Sequence, residues 1–240
     1  RGDGRNARFV PANPGVDDGR SRRFNRFGQF GDFRQRAAVV DQIEHRQTVN
    51  DNEIVAGALA AGDRGVAVTG FNPQHLGMVL KKLELMGVSY ERVNGGVRVW
   101  RAEHLRPVDI QTLPFPGFPT DMQAQVMVLS ALADGNSIIT ENIFENRFMF
   151  ASELVRMGAN IRIESHHAII HGVERLSGAQ VVSPDLRGGA ALVLAGLVAE
   201  GETDVSAIHH INRGYERFVD KLTGLGAQVE RASIPDPIDD

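Results

Sequence analysis

The chain has 240 residues, of which 42% are hydrophobic and 23% are charged, with a net charge of −4 and no cysteine. This composition is typical of a soluble globular protein with a sizeable core. The lack of cysteine excludes disulfides, thiolate zinc sites and a cysteine nucleophile within the chain. No apolar run approaches the roughly 20 residues of a membrane span, so we predict a cytoplasmic protein without a membrane partner.

Residues 1–50 differ from the rest of the chain. They contain ten Arg, six acidic residues and no Lys, Leu or Met, a balance of +4, whereas residues 51–240 carry −8. No hydrophobic period of a helix or strand holds there. The stretch is either a disordered basic tail or a segment foreign to the fold, and the missing Leu favours the second interpretation. The acidic body argues against nucleic acid as a partner, and residues 234–240 are predicted to be an acidic tail.

Residues 51–233 repeat a unit of about 70 residues three times, over about 51–101, 107–172 and 178–232. Each copy contains two glycines that follow a helix, where a positive φ suits glycine best. The pairs are Gly62 and Gly87, Gly135 and Gly158, and Gly201 and Gly226. Each copy is predicted to contain a strand, a helix, a strand, a helix and a strand pair, so the fold class is α/β (α+β) with three βαβαββ-type repeats.

The predicted elements follow the copies in chain order. The first copy ends in a hairpin of strands 90–93 and 97–100 around the turn Asn94-Gly95. The middle copy has strands 108–112 and 137–140, helices 120–133 and 147–157, and a hairpin of 161–165 with 168–171. Thr120 and Gln123 are predicted to form a capping box. The third copy has strand 179–182 and helices 184–199 and 215–225.

Two aspartates occupy matched places in different copies. Asp121 and Asp185 are each predicted in the first turn of the first helix of their copy. An acid there complements the helix dipole, which is one interpretation of the pattern. The other is that the repeat brings both carboxylates to one cleft, as hydrogen-bond acceptors or a general base.

Two arginines also occupy matched places. Arg147 and Arg213 each follow an asparagine that is predicted to cap the N-terminus of a helix. A cation in the first turn opposes the helix dipole, so the pattern indicates either a bound anion there or a solvated surface arginine. Arg187 lies close to Asp185, and the two could simply pair. The first copy has Pro73 at the equivalent place and no arginine beside it.

The histidines do not predict a metal site. His166, His167 and His171 lie close together in the sequence, but no pattern of acidic ligands accompanies them. We therefore predict neither a metal nor a cofactor.

Four runs of residues carry a resemblance to a known family. Residues 118–125 (FPTDMQAQ), 143–149 (IFENRFM), 176–181 (LSGAQV) and 213–217 (RGYER) are similar to the enolpyruvyl transferase family, and within it to the UDP-N-acetylglucosamine 1-carboxyvinyltransferases. The resemblance runs from about residue 52 to residue 231. It implies one lobe of an inside-out α/β barrel, in agreement with the three copies.

The resemblance also implies an activity. It is the transfer of an enolpyruvyl group from phosphoenolpyruvate to the 3-hydroxyl of UDP-N-acetylglucosamine, the first committed step of peptidoglycan synthesis and thus of cell wall formation and cell division. By the same resemblance, Asp121 would accept a hydrogen bond from the hydroxyl and act as general base. Asp185 would help in proton transfer or loop positioning.

The resemblance assigns binding roles to five further residues. Ile143, through its backbone, and Phe144 would line the UDP-sugar site. Arg213 would hold phosphoenolpyruvate, and Arg147 and Arg187 would help to neutralise its charge. No cofactor is implied.

The resemblance covers only the second lobe of such an enzyme. The first lobe, with its Lys-Asn pair and mobile loop, has no counterpart, and residues 1–50 do not match it. The missing first lobe is thus a predicted partner, and we expect little or no turnover from the chain alone. The alternatives are a non-catalytic sugar-nucleotide or anion-binding module of the same fold and, last, a nucleic-acid binder that uses its basic tail.

Overall fold

Three similar units follow one another along the chain. The computed structural model describes residues 6–9, 51–61 and 64–232. A strand, β1 (Asn6–Phe9), precedes the first unit. The first unit contains α1 (Asp51–Ala60), β2 (Val66–Thr69), α2 (Gly77–Leu85), β3 (Ser89–Val93) and β4 (Gly96–Trp100). The second contains β5 (Ile110–Gln111), α3 (Gln123–Ala131), β6 (Asn136–Thr140), α4 (Ala151–Arg156), β7 (Asn160–Glu164) and β8 (His167–His171). The third contains β9 (Gln180–Val182), α5 (Leu186–Gly196), β10 (Thr203–Ser206), α6 (His209–Asn212), α7 (Phe218–Gly224) and β11 (Val229–Ala232).

Each unit carries its own sheet. The strand orders are β2-β4-β3, β5-β6-β8-β7 and β11-β1-β10-β9. β5 runs parallel to β6, and β9 runs parallel to β10, whereas both hairpins are antiparallel. The predicted hairpins are confirmed, and so are the positive φ angles of Gly87, Gly158 and Gly226, at 92°, 92° and 94°.

The N-terminal stretch contributes a strand to the third sheet. β1 pairs antiparallel with both β10 and β11, in the place that β8 has in the second sheet. The expectation that residues 1–50 lie outside the fold is therefore wrong for residues 6–9. β1 pairs there because the strands on either side, β10 and β11, present backbone N–H and C=O groups that need partners. The rest of residues 1–50 and the predicted acidic tail lie outside the described residues.

The helices α1, α3 and α5 pack against one another at the centre of the three units. Every residue of α3 is buried, and so are residues 188–196 of α5. Besides α1 and α5, α3 packs against β6 and β8, so it is enclosed on all sides. Gly189 permits the close packing of α5, because a Cβ there would lie 2.0 Å from Ser183 Oγ.

A buried ion pair joins the first unit to the third. Glu53 Oε1 lies 3.9 Å from Lys221 Nζ, and both side chains are largely buried. Burial raises the pKa of Glu53, while its backbone hydrogen bond and Lys221 act to lower it. The folded protein therefore holds this proton more tightly than the unfolded chain does. Protonated Glu53 therefore contributes to the free energy of unfolding in full below the ordinary pKa of glutamate. This contribution is lost as the pH rises through the pKa of Glu53 in the folded protein.

We expect Glu53→Gln to gain stability relative to the original protein as the pH rises above about 4.5, because glutamine cannot ionise. Thermal unfolding of both proteins between pH 4 and 8 measures this. Glu84→Gln is the matched control, because Glu84 forms an exposed pair with Lys81 on α2. Parallel curves for Glu53→Gln and the original protein would contradict the prediction.

Candidate functional site

One open cavity of about 780 Å³ lies between the second and third units, and its volume is in the range of small-molecule sites. Seven predicted site residues lie on its wall, although their roles stay predictions. The residues that line the cavity are Asp121, Ile143, Phe144, Glu145, Asn146, Arg147, Met149, Asp185, Leu186, Arg187 and Arg213. All of them belong to the second and third copies.

Asp121 is held between two arginines. Its Oδ1 accepts a hydrogen bond from Arg147 Nη2, and its Oδ2 accepts one from Arg187 Nη2, both at 2.7 Å. The arginine side chains are 18% and 21% exposed, and the Asp121 side chain is 52% exposed. Charge-assisted bonds of this kind are shorter and stronger than neutral ones. The carboxylate thus joins the two guanidinium groups, one from each unit, at the cavity wall.

Arg187 is held from a second side by an aromatic residue. Its Nη1 donates a hydrogen bond to the Tyr215 hydroxyl, and its guanidinium carbon lies 5.3 Å from the centroid of the Tyr215 ring. The Arg187 side chain forms an ion pair with Asp121, and the Arg187 backbone N–H donates a hydrogen bond to Asp185. Tyr215 was quoted in the sequence only as part of a motif, and no local pattern linked it to Arg187.

Asp185 caps a helix. It is the N-cap residue of α5, and its Oδ1 accepts hydrogen bonds from the backbone N–H groups of Arg187 at 2.8 Å and Gly188 at 2.9 Å. A carboxylate here satisfies free N–H groups and complements the helix dipole. The helix-stabilising interpretation therefore describes Asp185, which nevertheless also faces the cavity.

Asp121 has a different local setting. It lies in a short 3₁₀ turn, Thr120–Met122, that precedes α3. The predicted capping box is wrong, because the Thr120 hydroxyl donates to Glu141 Oε2 at 2.9 Å and no side chain caps the turn. Asp121 is thus free of a capping role and points its carboxylate at the arginines.

The local prediction for Arg147 and Arg213 is wrong, although both reach the cavity. Arg147 lies in turns four residues before α4 begins at Ala151, and Arg213 follows the end of α6 rather than the start of a helix. Neither Asn146 nor Asn212 caps a helix N-terminus. A cation after a helix complements its dipole, so the Arg213 backbone position is favourable. The anion-binding capacity comes from the side chains themselves.

Arg213 is the exposed cation of the cavity. Within residues 6–9, 51–61 and 64–232 its side chain makes no hydrogen bond or ion pair, so the five N–H donors of the guanidinium are available to an anion. The neighbouring His210 is disposed to stay neutral. Burial lowers the pKa of His210, His209 and Arg213 lower it further, and Asp185 acts in the opposite direction.

A buried carboxylate shapes the loop that brings Ile143 and Phe144 to the cavity. Glu141 is 2% exposed, and its Oε1 accepts bonds from the Thr112 hydroxyl at 2.8 Å and from the backbone N–H groups of Ile143 at 2.8 Å and Phe144 at 3.2 Å. This arrangement leaves the Ile143 and Phe144 side chains 39% and 51% exposed at the cavity. The role of Glu141 was not predicted from the sequence, because an acid after a strand usually lies in solvent.

The Phe144 ring and Arg147 form a further contact at this wall. The Arg147 guanidinium carbon lies 5.0 Å from the ring centroid, within the range of a cation–π interaction. Phe144 thus helps to fix the direction of the guanidinium that also binds Asp121.

The described part of the chain holds no group of three or more His, Asp or Glu residues that could bind a metal ion. None of its helices is both long and apolar enough to cross a membrane.

Comparisons with known proteins point to one family. A family profile described as EPSP synthase (3-phosphoshikimate 1-carboxyvinyltransferase) matches residues 52–222. The UDP-N-acetylglucosamine 1-carboxyvinyltransferase of Corynebacterium jeikeium is 52% identical over 196 residues, which are 80% of this chain and 46% of that protein. That of Koribacter versatilis is 54% identical over 178 residues, 74% of this chain and 41% of that protein. The chain thus spans about half the length of the curated relatives that it matches.

Solved structures give the same fold. The enolpyruvyl transferase NikO from Streptomyces tendae superposes with a TM-score of 0.71 at 29% identity, over 77% of this chain and 44% of that one. An EPSP synthase from Acinetobacter baumannii superposes with a TM-score of 0.52 at 22% identity, over 83% of this chain and 43% of that one. The predicted fold class, an enolpyruvyl transferase-like lobe of mixed helices and sheets, is confirmed.

Proposed function

Because the chain belongs to the EPSP synthase family of enolpyruvyl transferases, we propose that it serves in the transfer of an enolpyruvyl group from phosphoenolpyruvate to the 3-hydroxyl of UDP-N-acetylglucosamine. The choice of sugar nucleotide rests on relatives that are 47–54% identical and carry that activity in their names. The step in peptidoglycan synthesis, the part in cell division and the cytoplasmic location belong to the same proposal.

The observation that carries the proposal is the set of three arginines at one cavity, with one acid between two of them. Phosphoenolpyruvate is an anion with a phosphate and a carboxylate, groups that guanidinium binds with paired N–H donors. Arg213 is available for the first contact, and Arg147 and Arg187 lie on the same wall. Cations fixed beforehand stabilise the charge of the reacting phosphate group.

Asp121 is the proposed general base. In the addition step, the sugar 3-oxygen bonds to C2 of phosphoenolpyruvate, its proton passes to the Asp121 carboxylate, and C3 takes a proton from a general acid that the first lobe would supply. In the elimination step, the C2–O bond to phosphate breaks, phosphate leaves, and C3 returns a proton to the conjugate base of that acid, which restores the double bond. A carboxylate that accepts hydrogen bonds at both oxygens is already oriented for the first of these transfers.

The cavity is open to solvent. Ile143, Phe144 and Met149 leave apolar surface exposed at its rim, with Met149 54% exposed. Relatives about twice as long carry further residues that could close over this rim. We propose that the substrates are enclosed between this lobe and a first lobe. The alternative, a module that only binds a sugar nucleotide or an anion, has no observation of its own in its favour.

We expect the purified chain alone to release phosphate at least about a thousandfold more slowly than a mixture with a first lobe, since the loss of even one fixed donor costs about 10²–10³ in rate. Phosphate release from both substrates is measured with and without the separately produced first lobe of a full-length relative. Arg213→Ala, assayed in the same mixture, is the control for contamination by that relative. Full turnover by the chain alone would contradict this prediction, whereas no turnover in the mixture would contradict the proposed function.

A further inference from the structure

A chain of buried polar side chains leads from the core to the cavity. Gln125 Nε2 donates hydrogen bonds to Asn52 Oδ1 at 3.1 Å and to the Tyr215 hydroxyl at 3.4 Å. Tyr215 in turn accepts from Arg187, whose other terminal nitrogen donates to Asp121. Asn52, Gln125 and Tyr215 are 1%, 0% and 8% exposed. The series thus connects α1, α3 and α5 through contacts that water hardly reaches.

The repeat explains how these residues meet. Asn52 and Gln125 stand ten residues before Gly62 and Gly135, the matched glycines of the first two copies, and Ala191 stands ten residues before Gly201. Equivalent places on α1 and α3 therefore face each other at the centre, where these helices pack together. Because the third copy has alanine at this place, its polar partner is Tyr215, which lies after α6.

Packing of the core does not require the Tyr215 hydroxyl. A phenylalanine would bury the same ring against Phe218, whose centroid lies 5.4 Å away, without the need to satisfy a buried hydroxyl. A buried hydroxyl is unfavourable unless it is hydrogen-bonded. Here it accepts from two donors, one in the core and one at the cavity wall.

We propose that Tyr215 is a positioning residue for Arg187, and that the Asn52–Gln125 pair fixes Tyr215 in turn. A guanidinium held at one nitrogen by Asp121 and at the other by Tyr215 has little freedom to rotate. When an anionic substrate binds beside Arg187, Tyr215 holds the Arg187 side chain in the cavity. Less conformational entropy is then lost on binding. The choice of anion rests on the proposed function.

The test uses Tyr215→Phe, which removes one oxygen and keeps the ring. Tyr90→Phe is the matched control, because Tyr90 is the only other tyrosine of the chain and lies in β3, away from the cavity lining. Rotation of the arginine terminal nitrogens is followed by NMR of ¹⁵N-labelled protein, with Arg187→Lys to assign the signal. We expect the Arg187 Nη groups to rotate slowly in the original protein and in Tyr90→Phe, and at least about tenfold faster in Tyr215→Phe.

Binding of inorganic phosphate and of UDP-N-acetylglucosamine is measured by calorimetry on the same proteins. We expect Tyr215→Phe to weaken phosphate binding about tenfold, in the range for the loss of a hydrogen bond to a charged group. Gln125→Met, which removes the second donor to the hydroxyl, should show a smaller change of the same sign. It also serves as the test protein if Tyr215→Phe fails to fold.

The outcomes separate this proposal from the proposed function. If Tyr215→Phe, or Gln125→Met in its place, leaves both the Arg187 rotation and the phosphate affinity unchanged, the positioning role is refuted. Faster rotation with weaker binding supports it. If the original protein binds neither phosphate nor the sugar nucleotide, the proposed substrates fail, while the rotation measurement still decides the role of Tyr215.

Discussion

Glu141→Leu is expected to destabilise the protein by about 3–5 kcal/mol. Glu141 Oε1 and Oε2 together accept hydrogen bonds from the hydroxyls of Thr112 and Thr120 and from two backbone N–H groups. Leucine has a similar volume but accepts none of them. The variant therefore leaves buried donors without partners, which is less favourable than the loss of the bonds themselves. Urea denaturation followed by circular dichroism measures the change.

Glu141→Gln is the matched control for this prediction. Its amide oxygen can accept the three bonds made by Oε1, and the Thr120 hydroxyl can rotate to accept from the amide nitrogen. We expect it to lose no more than about 1.5 kcal/mol. Equal losses for the leucine and glutamine variants would show that the negative charge, and not the number of accepted bonds, stabilises the loop of Ile143 and Phe144.

The repeated architecture could be predicted because its signals are local. The position after a helix often needs a positive φ, which glycine adopts most easily. The turn Asn94-Gly95 specifies a hairpin from two adjacent residues. The glycines recur in each copy, and neither signal needs knowledge of distant contacts. The helix limits were less well predicted: α4 begins four residues after Arg147, and α3 begins three residues after Thr120.

The partners of the site residues could not be predicted in the same way. Matched places in the repeat paired Asp121 with Asp185 and Arg147 with Arg213, and all four line one cavity. Which acid pairs with Arg187 depends on side-chain directions across two units, and the nearest acid in sequence, Asp185, is occupied by backbone N–H groups. The link from Tyr215 to Arg187 spans 28 residues, so no local pattern contains it.

The strand β1 shows that amino-acid composition does not identify every element of the fold. Residues 1–50 lack the Leu and the periodicity that normally predict a fold element. Four of them, Asn6–Phe9, nevertheless occupy an internal place in the third sheet. Strand pairing uses backbone groups that every residue except proline carries in full, so a short segment of unusual composition can complete a sheet.

The charges of the cavity predict that Asp121 competes with a bound anion. Three arginines and three acids line the wall, so their formal charges cancel. Asp121 is the acid that accepts from both Arg147 and Arg187, while Asp185 caps α5. An incoming phosphate must therefore compete with Asp121 for two guanidinium groups.

Asp121→Asn is accordingly expected to bind inorganic phosphate about tenfold more tightly than the original protein, since it removes the competing charge and keeps the side-chain shape. It should bind UDP-N-acetylglucosamine less tightly, because the neutral amide is a weaker acceptor for the sugar hydroxyl. Calorimetric titration with each ligand gives both constants. The opposite signs distinguish this effect from a general change in stability.

Glu145→Gln is the control for this pair of measurements. It removes the same formal charge from the cavity wall, but Glu145 is exposed and, among the described residues, does not bind either arginine. Solvent screens such a charge, so we expect its effect on phosphate affinity to stay below about threefold. If Glu145→Gln raised phosphate affinity as much as Asp121→Asn, the net charge of the cavity would govern binding, and the bridge between Asp121 and the two arginines would have no special part in it.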